Sequence, residues 1–138
     1  VAFFLQFGYL GEQMEDIQQT INMVLKAMPD DIGISVSYPL PGTKFYDRVK
    51  TQLLQKQNWE DSDDLDMMYE ATFSAQFYKR LHRYVHKVFR RKQGLNNLKL
   101  IVQKPQKLLD KRILRSALLT IYYAPGVWID QYRLNKLI

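Results

Sequence analysis

The sequence predicts an α/β start followed by a mostly α-helical C-terminal extension. Three observations carry this. The two stretches that read as strands, Val1–Phe7 and Ile32–Tyr38, are confined to the first 38 residues. An amphipathic segment of helical period separates them, which makes a strand–helix–strand unit with an expected right-handed crossover. The remaining hundred residues keep a helical hydrophobic period throughout.

Val1-Ala2-Phe3-Phe4-Leu5-Gln6-Phe7 is apolar at consecutive positions, aromatic-rich and ended by Gly8, the pattern of a strand buried on both faces. Natural chains seldom start inside such a strand, so the sequence is expected to be a piece of a longer protein. After Gly8-Tyr9-Leu10-Gly11, a helix is predicted over Gln13–Met28, with Met14, Ile17, Ile21, Val24, Leu25 and Met28 on one face. Glu12, Glu15 and Asp16 cluster at its start, where the helix dipole favours them, and Pro29-Asp30-Asp31 stops it. The second strand puts Ile32, Ile34, Val36 and Tyr38 on one face. Small and polar Gly33, Ser35 and Ser37 line the other, as if beside a cavity. Pro39-Leu40-Pro41-Gly42-Thr43 forms a rigid loop with Thr43 as N-cap of a helix over Lys44–Lys56 that buries Phe45, Val49 and Leu53.

An acidic loop follows, and then the longest helix, Met67–Lys92, with Phe73, Phe77, Leu81, Val85 and Val88 as its stripe and Gly94 at its C′ position. Shorter helices are predicted near Asn97–Gln103, from Pro105 to Tyr122, and after Pro125-Gly126. Met67-Met68 and the Leu108–Ile121 stripe read as core. The chain thus divides at about residue 57 into an α/β part (1–57) and a helical extension (58–138). Two parallel strands alone leave both edges open, which soluble proteins avoid. The upstream half of the same polypeptide is expected to pair with them; in its absence, copies of this chain should self-associate edge to edge.

Hydrophobic residues at 46% and charged residues at 25% exclude a disordered chain. The absence of cysteine among 138 residues excludes a disulfide scaffold, a zinc ribbon, a thiolate nucleophile and any cluster ligated from within this chain. No apolar run approaches the roughly 18 residues of a membrane span and no leader pattern is visible, so a soluble, cytoplasmic domain is expected. The net charge of +6 hides a polarity: residues 1–78 hold five basic and twelve acidic side chains, residues 79–138 fifteen basic and two acidic. A split this large implies different jobs, or surfaces that face each other.

Three charged motifs have simple structural readings. His82 and His86 lie four apart, a metal-ligand spacing, but Arg83 stands where a zinc protease needs Glu and Arg80 and Lys87 are close by. A solvated helix face is the preferred reading, with no metal site. Five carboxylates in Glu60–Asp66 fail the calcium-loop pattern and are expected to serve the N-terminus of the long helix, with Asp61, Ser62 or Asp63 as cap. Lys79–Lys92 holds seven cations, no acid, and interleaved Tyr78, Tyr84 and Phe89 nearby or within. A solvated face that docks on the acidic half is preferred there; nucleic acid or an acidic partner bound by a non-enzymatic helical module is the alternative.

The most informative stretches are Gly8-Tyr9-Leu10-Gly11-Glu12-Gln13 and Tyr38-Pro39-Leu40-Pro41-Gly42-Thr43, each a turn after a strand. Together with Asp30-Asp31-Ile32-Gly33-Ile34-Ser35-Val36-Ser37, Asn58-Trp59 and Asp61-Ser62-Asp63-Asp64-Leu65, they resemble the radical SAM superfamily. There, a G-[FYL]-P-G-E-T turn follows the fifth barrel strand and a P-x-P-G-T loop the sixth. The likeness is greatest to the cobalamin-associated branch labelled Mg-protoporphyrin IX monomethyl ester oxidative cyclase. Leu10 and Gln13 depart from the pattern, and losing threonine at 13 removes a good N-cap. The resemblance implies that the α/β start is the second half of a partial TIM-type barrel. It also implies a parent enzyme that holds a 4Fe–4S cluster through a CxxxCxxC motif and cleaves S-adenosylmethionine reductively to a 5′-deoxyadenosyl radical. Oxidative cyclase or methyl-transfer chemistry with cobalamin is included. By position, Gln6, Gly8, Gly11, Ser37, Tyr38 and Pro39 are the implied contacts to S-adenosylmethionine or substrate. The fragment lacks the cluster motif, so it is expected to bind no cofactor and to be inactive alone.

Overall fold

The computed structural model describes residues 1–53, 65 and 67–138. Strand β1 (Ala2–Phe7) leads through a turn into helix α1 (Met14–Ala27), and strand β2 (Asp31–Val36) returns parallel to β1. The register runs from Ala2 opposite Asp31 to Phe7 opposite Val36. Helix α2 (Lys44–Val49), helix α3 (Ala75–Gln103), a 3₁₀ turn (Pro105–Leu109) and helix α4 (Lys111–Asn135) complete the chain. Strand–helix–strand followed by a mostly helical region is therefore the observed architecture. Among the described residues the sheet has two strands and no barrel is formed.

Leu5, Phe7, Ile32, Ile34 and Val36 point to one side of the sheet, where Ile17, Ile21 and Val24 of α1 and Phe77, Leu81, Val85 and Phe89 of α3 close the main core. The expectation that β1 is buried on both faces does not hold. Its alternate side chains lie on a face that no described element covers, and Phe4 is 72% exposed there, resting over Gly33. The consecutive apolar residues of β1 therefore exceed what this core can absorb.

Helix α1 begins one residue later than predicted. Gln13 occupies the N-cap position but sends its side-chain amide back to the Gly11 carbonyl (3.1 Å), while Asp16 accepts from the Gln13 backbone N–H (2.9 Å). Thr43 caps α2 as predicted: its Oγ1 accepts from the Tyr46 N–H at 3.1 Å. The helix is shorter than Lys44–Lys56, ending at Val49, and part of that predicted span lies outside the described residues.

The largest corrections fall on the helical half. The long helix starts at Ala75 rather than Met67, because Ser74 caps it by accepting from the Phe77 N–H (3.2 Å). The proposed caps Asp61, Ser62 and Asp63 lie outside the described residues, and the start they were expected to serve is not used. Phe89, in place of Val88, completes the buried stripe. Gly94 is no stop. A β-carbon there would stand 2.0 Å from Thr120 Oγ1 and 2.5 Å from the Ser116 carbonyl oxygen, so α3 continues through Gly94 and uses its bare surface to approach α4. Nor does Pro125-Gly126 divide α4: Pro125 lies on the outward face, and Gly126 leaves room for the Lys87 chain, which passes within 3.4 Å of where its β-carbon would be. The Leu108–Ile121 stripe is core only in part: Ala117 and Thr120 are buried, but Leu108, Leu109, Leu118 and Ile121 are exposed.

Candidate functional site

The residues that the two turns bring together sit at the carboxyl ends of β1 and β2. Pairing continues one step past the strands, with the Ser37 N–H donating to the Phe7 carbonyl at 2.7 Å. Gly8 then adopts φ +84°, a conformation that glycine takes without a side-chain clash. A side chain would also strike Met67, whose Sδ and Cε lie 3.2–3.3 Å from the β-carbon position.

Three groups fill the space above these strand ends. Glu12 folds back so that its Oε2 accepts from the Gly8 N–H (2.8 Å) and, at 3.4 Å, from the Tyr78 hydroxyl. The Tyr69 hydroxyl donates to the Gly8 carbonyl at 2.5 Å and lies 3.4 Å from the Ser37 carbonyl. One phenol thereby ties the two strand ends together. Aromatic contacts extend the tie: Tyr9 meets Phe45 at 4.7 Å between centroids, and Phe45 meets Tyr69 edge-on at 5.2 Å, so the first turn touches the helix that follows the second.

The electrostatics are those of a half-dry site. Burial raises the Glu12 carboxyl above its ordinary value of 4.5, opposed by its Gly8 and Tyr78 hydrogen bonds and reinforced by Asp16. Burial, then the Glu12 charge, pushes both the Tyr69 and the Tyr78 phenols upward, so both remain neutral donors. The arrangement holds a carboxyl between neutral donors, its proton affinity raised by burial. Among the described residues no group of three or more His, Asp or Glu side chains gathers to hold a metal.

The sequence-predicted residues separate into two sets. Gly8 and Ser37 meet through Tyr69, with Pro39 buried and Tyr38 half-buried beside them. Gln6 points away from this cluster, exposed on the uncovered sheet face and in register with Ser35; Gly11 lies exposed in the turn at φ +79°. Sequence reasoning missed Glu12, Tyr69 and Tyr78 as members. Glu12 was legible, since it falls inside the first motif. The two tyrosines come from 61 and 66 positions away, and nothing local marks them.

A second polar centre joins α3 to α4. Asp130, 4% exposed, pairs with Lys87 at 2.6 Å and with Arg80 at 3.7 Å. Arg90 reaches Asp31 at 2.7 Å, so part of the basic helix does dock on the acidic half. Tyr78 and Phe89 are core and Tyr84 is half-buried. His82 and His86 lie with ring centroids 4.5 Å apart and planes inclined by 60°, half-buried rather than solvated; burial, followed by His82 and Arg90, holds the His86 imidazole below its ordinary value. No helix among the described residues is long and apolar enough to cross a membrane. No protein-family model matches this chain, and no curated protein or solved structure matches it.

Proposed function

We propose that this chain is the carboxyl-terminal part of a radical SAM enzyme of the cobalamin-associated, oxidative-cyclase-like branch, with the chemistry completed by an upstream half. The observation that carries the reading is the juxtaposition of the two motif turns. Gly8–Gln13 and Pro39–Thr43 follow adjacent parallel strands and are tied at Gly8 and Ser37 by one phenol. Ligands of α/β folds gather at that edge. The sheet face and the two strand edges that no described residue covers or pairs lend further support, because parallel sheets are ordinarily covered on both faces. Upstream strands would pair with those edges, and copies of the isolated chain would compete for them.

The residues present fit part of this chemistry. With no cysteine here, the cluster ligands belong to the upstream half. The Gly8 and Ser37 carbonyls already face Tyr69, which leaves Gln6 and Ser35 on the uncovered face as the side chains that would hold S-adenosylmethionine. When bound, that cofactor supplies the radical precursor. Gln6 would orient it through its amide, and Glu12 with Tyr69 would hold the two strand ends at fixed spacing.

A nucleic-acid module draws less support. The aromatic residues that would stack on bases are core at Tyr78 and Phe89, while Arg80, Lys87 and Arg90 face carboxylates of the chain itself. The test is to read the gene upstream of Val1, then to purify the complete protein anaerobically and assay 5′-deoxyadenosine after reduction with S-adenosylmethionine. A CxxxCxxC motif and reductant-dependent product are expected, with Gln6→Ala raising KM for the cofactor. An upstream region without the motif, or no 5′-deoxyadenosine from protein bearing the cluster, overturns the proposal.

A further inference from the structure

We infer that the outward face of α4 is a docking surface for an anionic lipid bilayer. The inference is independent of the radical SAM reading. It starts from the failed expectation that α4's apolar residues are core. Leu118, Ile121, Tyr122, Trp128, Ile129 and Tyr132 are all exposed, Ile121, Tyr122 and Trp128 by more than 70%. At about 100° per residue these positions fall in one stripe roughly 120° wide. Between Leu118 and Tyr132 the one charged residue is Asp130, buried on the opposite side against Lys87. Isolated exposed apolar residues are ordinary on a protein surface, whereas a continuous stripe marks an interaction site.

The charge around the stripe selects the occupant. Exposed Lys111 and Arg115 border it at one end and Arg133 and Lys136 at the other. Both acids of residues 79–138 are engaged: Asp130 in its ion pairs, and Asp110 in accepting from the Arg112 and Ile113 N–H groups as N-cap of α4. The helical hairpin thus shows cations and hydrocarbon with no uncommitted carboxylate. Near the start of α4, Arg112 and Arg115 line a cavity of about 260 Å³ together with Gln93, Tyr123 and Arg90, the last already paired with Asp31. It shares Arg115 and Leu119 with an apolar groove of about 300 Å³ lined by Lys111, Leu114 and Leu118. A cationic seat beside an apolar groove matches a phosphate headgroup above its acyl chains. At the other end Trp128 and Tyr132 stack at 6.4 Å and Lys136 covers the Tyr132 ring at 4.6 Å, an amphipathic cluster suited to headgroup depth.

Other occupants use only part of this surface. A nucleic acid would engage the cations but leave Leu118, Ile121 and Ile129 without partners. A second copy docked through the same face would bring two strongly basic hairpins together. A bilayer containing anionic lipid uses both the apolar stripe and its basic borders, with α4 lying in the interfacial plane.

Flotation of the 138-residue chain with phosphatidylcholine vesicles, with and without phosphatidylserine, tests the proposal at low and high salt. Binding is expected to the anionic vesicles, weakened by salt. In a Trp59→Phe background, Trp128 emission should shift to the blue and be quenched by brominated acyl chains. Ile121→Glu with Trp128→Glu should lower partitioning by roughly tenfold or more, and Lys111→Glu with Arg115→Glu should abolish the preference for anionic lipid. Both pairs are exposed, and the quenching experiment needs neither. No flotation at low salt, or flotation without quenching of Trp128, overturns the proposal. So does RNA binding in the absence of vesicle binding, or a dimer in sedimentation velocity that the Glu pair dissolves.

Discussion

Alanine in place of Gly94 is expected to destabilise the protein by about 2 kcal/mol, against the helix-propensity trend. In a free helix interior, exchanging glycine for alanine gains about 1 kcal/mol. Here the new β-carbon would stand 2.0 Å from Thr120 Oγ1 and 2.5 Å from the Ser116 carbonyl oxygen. Rotating Thr120 relieves only the first contact, and its β-branched side chain has few rotamers inside a helix. The carbonyl is part of the α4 backbone, so relief of the second contact requires α4 to retreat by most of an ångström along a seam where Ala117, Thr120 and Val127 of α4 are buried and Lys87 of α3 reaches Asp130. Overpacking of this kind costs about 1–3 kcal/mol, and the backbone contact puts it at or above the upper end, which leaves about 2 kcal/mol after the propensity gain. Urea unfolding followed by far-ultraviolet circular dichroism should show a lower midpoint at unchanged m-value. Thr120→Ala gives the companion measurement. Its buried hydroxyl has no hydrogen-bond partner among the described residues, so its loss alone should cost little, while in the Gly94→Ala background it should recover part of the loss. A Gly94→Ala midpoint equal to or above that of the parent would refute the close-approach argument.

Tyr69→Phe removes the donor that ties Gly8 to Ser37 and should cost about 1–2 kcal/mol in the same urea assay; no loss would mean the tie is incidental. Asp130→Ala leaves Lys87 and Arg80 without their buried carboxylate and should cost about 3 kcal/mol, whereas Lys87→Met with Asp130→Leu should cost less; equal losses would contradict a charge-pairing role. His86 is held below its ordinary value of 6.5, so the folded state resists its protonation. Its contribution is present above 6.5 and is lost as pH falls toward the lowered folded value; thermal melts across that window should be flatter for His86→Gln than for the parent.

The opening unit was legible because its signals are local and mutually consistent. Alternation in Ile32-Gly33-Ile34-Ser35-Val36 fixes which face of β2 is buried, the 3.6 period of Ile17, Ile21 and Val24 fixes the inner face of α1, and Thr43 marks the start of α2. The candidate site was legible only as far as its motifs reach. Gly8, Ser37 and Glu12 stand in or beside the two turns, but Tyr69 and Tyr78 arrive by tertiary packing from beyond α2. Their roles depend on where the ring ends up, which no short-range spacing encodes. Gln6 carries a complementary lesson. It belongs to the same strand end by number, yet strand alternation sends its side chain to the opposite face from Phe7.

The helical half was misread because its breaker residues act at a seam. Read locally, Gly94 costs a helix about 1 kcal/mol and Pro125 removes one backbone hydrogen bond, so each looks like an end. In the folded chain, glycine at 94 permits the backbone contact with Ser116 and Thr120, and glycine at 126 admits the Lys87 stem on its way to Asp130. Phe89, Ala117, Val127 and Leu134 are all buried along the hairpin or its junction with the core. Burying a large apolar side chain contributes roughly 1.5–3 kcal/mol, so Ala117, Val127 and Leu134, which lie beyond the breakers, together offset local penalties of about 4 kcal/mol. Continuity of α3 and α4 follows from that inequality, and it also leaves α4's remaining apolar stripe facing outward. With one side committed to α3, Leu118, Ile121 and Trp128 have no place in this core. The excess of apolar residues over what α3 can cover is therefore the feature of α4 that a surface beyond the described residues must explain.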